Sequence, residues 1–77
     1  MTDMVYKYLT DHDKAAVLEA HIRSLEHTVY SLEVSKIEYL ADTPVDSEKI
    51  SLADAQADLC RSKIEALENA ISLLDLE

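Results

Sequence analysis

The sequence contains no glycine, no phenylalanine and no tryptophan, and only one proline, Pro44, and one cysteine, Cys60. Without glycine there is no phosphate-cradling loop and no Asn-Gly hairpin turn, which removes nucleotide-loop motifs and most all-β folds. A single cysteine can neither cross-link the chain to itself nor build a multi-cysteine zinc site. Basic charge is scarce as well: seven Lys and Arg stand against sixteen Asp and Glu, for a net charge of −9 and a pI near 4.5. That balance argues against a basic face that clamps nucleic acid or anionic lipid. Long apolar runs are missing. The segment from Met1 to Leu9 is interrupted by Asp3 and Lys7, unlike the apolar core of a secretory signal, and no run approaches the ~18 apolar residues of a membrane span. The expected setting is soluble, reducing and cytoplasmic. At 77 residues there is one domain, and a chain so short buries only about 60% of its unfolded surface.

What the sequence does have is two heptad seams. Ala15, Leu18, Ile22, Leu25, Val29, Leu32, Lys36 and Tyr39 are spaced by alternating threes and fours, and so are Ile50, Ala53, Ala57, Cys60, Ile64, Leu67, Ile71 and Leu74. This spacing predicts two amphipathic helices of coiled-coil type. Between them lies Ala41-Asp-Thr-Pro-Val-Asp-Ser47. Two helix starts fit that stretch: Thr43 as N-cap with Pro44 at the first helical position, or Asp46 as N-cap with Val45 and Ile50 forming a hydrophobic staple. Thr10 with Asp13 three residues on is a weaker start signal for the first helix. The boundaries read as an N-terminal apolar overhang or extension over 1–10, helix over 11–42, a turn over 43–46 and helix over 47–76.

A short connection makes the helices antiparallel, and that can be tested on paper. Pairing Tyr39 with Ile50, Lys36 with Ala53, Leu32 with Ala57 and Val29 with Cys60 gives residue numbers that add to one constant. Leu25 with Ile64, Ile22 with Leu67, Leu18 with Ile71 and Ala15 with Leu74 add to the same total. The midpoint falls between Pro44 and Val45, where the capping signals independently put the turn. The predicted fold is an all-α antiparallel two-helix hairpin with a coiled-coil-like seam. The layers near the turn are small, and either Tyr30, Ile37, Tyr39 and Leu40 or a partner is expected to fill them. Lys36 is expected to snorkel or to fix register.

The flanks of the seam differ. One carries Glu19, Glu26, Glu33, Asp54, Glu68 and Asp75, with Arg61 as its cation, and is expected to stay in water with Glu33 and Asp54 in mild repulsion. The other carries Val17, His21, Ser24, Thr28, Ser31 and Ser35 from the first helix. The second helix adds Leu52, Gln56, Leu59, Lys63, Ala66, Ala70 and Leu73. Small residues with leucines every seven resemble a second seam, so Val17, Thr28, Leu52, Leu59, Ala66 and Leu73 are the expected dimer face of a four-helix bundle made of two hairpins. The overhang Met4, Val5, Tyr6, Tyr8 and Leu9, with Tyr30, Ile37 and Leu40 near the turn, is the expected docking surface for a protein partner.

Catalytic signals are missing. His12, His21 and His27 have no i, i+4 partner and no Glu-x-x-His motif. Asp11-His-Asp13 reads as a charged first helical turn rather than a cation site. Cys60 faces Val29 on the seam as a small hydrophobe. No catalytic, cofactor or metal-binding residue is expected, and the chain reads as a non-enzyme.

The stretch Ala53-Asp-Ala-Gln-Ala-Asp-Leu-Cys-Arg-Ser62, with Ile22-Arg-Ser24, resembles the helices of the Rop family of plasmid copy-number regulators. These are helical hairpins that dimerise into four-helix bundles and bind paired RNA hairpins. The resemblance implies the same architecture, and it stops short of RNA binding. His21 occupies the position of the family's key phenylalanine, Lys63 that of a core leucine, and the arms here are longer. No residue role is carried over, and direct nucleic-acid binding is not expected. The expected function is a small acidic dimeric adaptor, regulator or inhibitor, of the kind phages and mobile elements carry as accessory proteins, acting by protein–protein interaction. The alternatives are an acidic mimic of nucleic acid that blocks a DNA-binding protein, and a structural spacer or assembly chaperone.

Overall fold

The computed structural model describes residues 9–76. Two helices fill that range: α1, Asp11–Ala41, and α2, Ser47–Ser72. They pack antiparallel along their length into a rod of 55 × 20 × 18 Å, and the fold is the all-α hairpin that the paired seams predict.

Local chemistry sets three of the four helix ends. Thr10 caps α1 with a complete capping box: its hydroxyl accepts from the Asp13 N–H at 3.0 Å, and the Asp13 carboxylate accepts from the Thr10 N–H at 3.1 Å. The weaker of the sequence signals is therefore a full one, with Asp in the place usually held by Glu or Gln. At the turn, the Asp46 carboxylate accepts from the N–H groups of Glu48 and Lys49 at 3.0 and 3.3 Å. Asp46 is the N-cap of α2, and Thr43 is not. The helix α1 stops at Ala41, where the Asp42 N–H turns back to the Tyr39 carbonyl. The expected helix over 47–76 is shorter in the structure, and α2 closes at Ser72. There the Leu73 and Leu74 N–H groups drop to the i−3 carbonyls of Ala70 and Ile71. The next N–H, that of Asp75, is taken by the Asp11 carboxylate at 2.8 Å, so the last turn tightens and the chain leaves the helix.

Every seam residue from Ala15 to Leu74 is buried or half-buried, and among the described residues only Asp11, Lys14, Ser35 and Ala70 share that status. The fully buried set is small in both senses: Ala15, Ala53 and Ala57, at 7%, 4% and 2% exposure. The alanine layers near the turn bring the backbones together, so there is no gap for aromatic side chains to fill. Tyr39 is half-buried, but Tyr30, Ile37 and Leu40 are 69%, 67% and 60% exposed; of the two expected ways to fill the narrow end, these three side chains do not supply the first. No large side chain is fully buried among the described residues. Among the described residues, each leucine and isoleucine of the seam has one helix to lean on.

Candidate interaction surfaces

The seam separates two flanks, and the first is closed by polar cross-links. Lys36 runs from its seam position to an ion pair with Asp54. Arg61 reaches Glu33 across the seam at 3.1 Å and Asp58 on its own helix at 2.9 Å. At the open end of the hairpin the Asp11 carboxylate holds the Asp75 N–H. Glu33 and Asp54, expected to repel one another, each have their own cation, and Lys36 joins Arg61 as a cation of this flank. Asp11 continues the seam one step before Ala15, a role that sequence reading missed because a carboxylate does not register in an apolar series. Of the Asp11-His-Asp13 carboxylates, Asp13 completes the α1 cap, while Asp11 holds the Asp75 N–H and pairs with Lys14 at 3.8 Å.

The second flank is open. Each of its residues precedes a seam position by one, which places it about 100° round the helix from the seam, close to the right angle of a square four-helix array. Leu73, Leu52, Leu59 and Val17 stand 86%, 63%, 60% and 50% exposed along it; Thr28 and Ala66 are exposed as well. Three shallow grooves cut through this flank to the seam. The first, of about 320 Å³, is lined by Leu9, Lys14, Val17, Leu18, Ala70 and Leu74. A second, of about 390 Å³, lies between His21, Ser24 and Leu25 on one side and Lys63, Ala66 and Leu67 on the other. The third, of about 190 Å³, is framed by Leu32, Tyr39, Lys49, Leu52, Ala53 and Gln56. Thr28 turns its hydroxyl back to the Ser24 carbonyl at 3.2 Å, so that polar group is satisfied within its own helix.

The same side of α1 as Glu19, Glu26 and Glu33, one residue after the seam positions, carries a further apolar strip toward the turn. Tyr30, Ile37 and Leu40 project from it, and the structure adds Val34, 37% exposed. Tyr30, Val34 and Ile37 follow a four-then-three spacing that was legible in the sequence but hidden behind the stronger seam. Of the expected docking overhang, Leu9 is 42% exposed and lines the first groove. Met4, Val5, Tyr6 and Tyr8 lie outside the described residues.

Among the described residues no three His, Cys, Asp or Glu side chains come together in a way that could hold a metal ion. Cys60 is a half-buried free thiol on the seam. No described helix is long and apolar enough to cross a membrane. Comparison with known proteins finds no matching family model, no matching curated protein and no matching solved structure. The short likeness to the Rop hairpins therefore carries no family assignment.

Proposed function

We propose that this chain is a small non-enzymatic adaptor, regulator or inhibitor that self-associates through its open flank into a four-helix bundle and acts by docking on another protein. The observation behind the reading is the pairing of two deficits. Among the described residues no large side chain is fully buried, while Leu52, Leu59 and Leu73 stand in water, Leu52 at the edge of a groove that reaches the seam. Exposed leucines at heptad spacing are costly alone and stabilising when covered, at about 25 cal/mol per Å² of apolar area removed from water. The strip of Tyr30, Val34, Ile37 and Leu40 lies on a different face of α1 and stays available to a partner in such a bundle. A cytoplasmic, reducing setting suits a chain whose one thiol is half-buried on an apolar seam.

Nucleic-acid mimicry is the weaker reading, because Glu33 and Asp54, at the middle of the acidic flank, are already paired within the hairpin. Binding by a mimic would weaken steeply with salt.

Sedimentation of the wild-type chain and of Leu59→Glu tests self-association: a dimer for the first and a helical monomer for the second is the expected pair of results. A monomeric wild type at tens of micromolar would end the bundle reading. The docking surface is tested by affinity capture from the native host. Deletion of residues 1–9, or Ile37→Ser on the strip, should lose the partner while dimerisation persists. Retention of the same partner by both variants would remove that assignment.

A further inference from the structure

We infer that the two hairpins of the dimer stack with their turns at the same end, so that α2 of each copy lies on α1 of the other; this rests on the self-association proposed above. A pair of hairpins meeting through the same flank has two closed two-fold arrangements. In one the two-fold axis runs parallel to the helices, the turns lie together, and α1 faces the partner's α2. In the other the axis is perpendicular, the turns lie at opposite ends, and like helix faces like.

Size separates them first. The α2 stripe is the bulky one, with Leu52, Leu59 and Leu73 exposed, whereas the α1 stripe is mostly serine and threonine. A two-fold axis parallel to the helices allows no sliding of one copy along the other, so each level meets the same level of its partner. Leu59 then lands beside the partner's Ser31 and Thr28, Leu52 between the partner's Ser35 and Glu38, and Leu73 between the partner's Val17 and Lys14. The central leucine faces small residues, as interdigitating layers require. The perpendicular axis instead puts leucine stripe on leucine stripe in one layer, and in the other leaves serines, a threonine, Val17 and His21 between Lys14 and Glu38 at the ends. Those two layers need different spacings between helices that are tied in pairs.

Charge weighs the same way. The α2 stripe carries Lys49 and Lys63 and no acid, whereas the α1 stripe carries Lys14 at its start and Glu38, the one acid on either stripe. Stacking α2 on α2 collects four lysines in one layer without a carboxylate. Stacking α2 on α1 places Lys49, which lies over the Tyr39 ring at 5.6 Å, level with the partner's Glu38, twice per dimer. Lys63 comes level with the partner's Ser24 and Thr28. The result is a bundle with both turns, and both Tyr30–Leu40 strips, toward one end: a bivalent surface for a partner.

The test uses the full chain with Cys60→Ala and Thr43→Cys, a single spin label on the exposed turn, read by dipolar spectroscopy alongside sedimentation. A dimer with labels within about 30 Å, one or two interhelical spacings plus the label arms, is the expected result. A dimer with labels beyond about 40 Å, the length of an arm, overturns the topology and leaves self-association standing. A monomer overturns the self-association beneath it. A second measurement does not depend on the label. Glu38→Lys should raise the dimer Kd several-fold, and adding Lys49→Glu should return it to within about twofold. A double variant no tighter than the single one overturns the α2-on-α1 arrangement.

Discussion

The two flanks of this hairpin come from the same pair of helices in the same register, yet one is closed and the other open. On the closed flank Lys36, Arg61 and Asp11 reach across or along the seam to Asp54, Glu33 and the Asp75 N–H. On the open flank small residues and exposed leucines border grooves that run down to Leu18, Leu25 and Leu32. The difference teaches that polar cross-links are a poor substitute for cover but a good statement of direction. Exposed ion pairs contribute at most about 1 kcal/mol each and are screened by salt, so they do not hold the helices together. What they do is fill one side of the seam with solvated charge, which no second apolar surface can approach without desolvating it. The hairpin is thereby left with one face on which to complete its core.

The largest test of this contrast is Leu59→Glu on the open flank. A charge at the centre of the proposed interface, twice per dimer, should raise the dissociation constant by about a hundredfold or more, equivalent to roughly 3 kcal/mol, with circular dichroism still helical at monomer concentrations. Next comes the seam that both flanks share. Ala57 is 2% exposed, so Ala57→Leu overpacks the closest helix approach and should cost about 1–3 kcal/mol in urea unfolding. The cap is smaller still: Asp46→Ala removes the acceptor for two orphan N–H groups and should cost about 1 kcal/mol by the same measurement. Smallest of all is Arg61→Ala on the closed flank. Its partners are half-exposed or more, so the loss should stay below about 1 kcal/mol, vanish in molar salt and leave the dimer constant unchanged. A closed-flank variant that disrupts the dimer as strongly as Leu59→Glu would break the distinction between the flanks.

Much of the fold was legible because two heptad series share one midpoint, and a proline and one capping acid, Asp46, mark that same point. A period of 3.5 residues in one chain says which face of each helix is apolar; the shared midpoint says which residues meet. The tight end of the hairpin was only half legible: periodicity leaves open whether Tyr30, Ile37 and Leu40 fold onto the small layers or stay at the surface. Ala53 and Ala57, at 4% and 2% exposure, bring the backbones together, and those three side chains stay exposed. The end of α2 was also misplaced, because apolar periodicity continues to Leu74 while the Asp75 N–H bonds instead to Asp11, far away in sequence.

By itself, then, the sequence determined the two helices, their antiparallel pairing, its register and the position of the turn. Each of these depends on periodicity and on capping groups within a few residues of one another. Only the tertiary structure decided which flank is sealed. Whether Lys36 finds Asp54, or Arg61 spans Glu33 and Asp58, depends on how closely the backbones approach and where long side chains can then reach. That distance is set by packing across the seam, a property of the two helices together and of neither stretch of sequence alone.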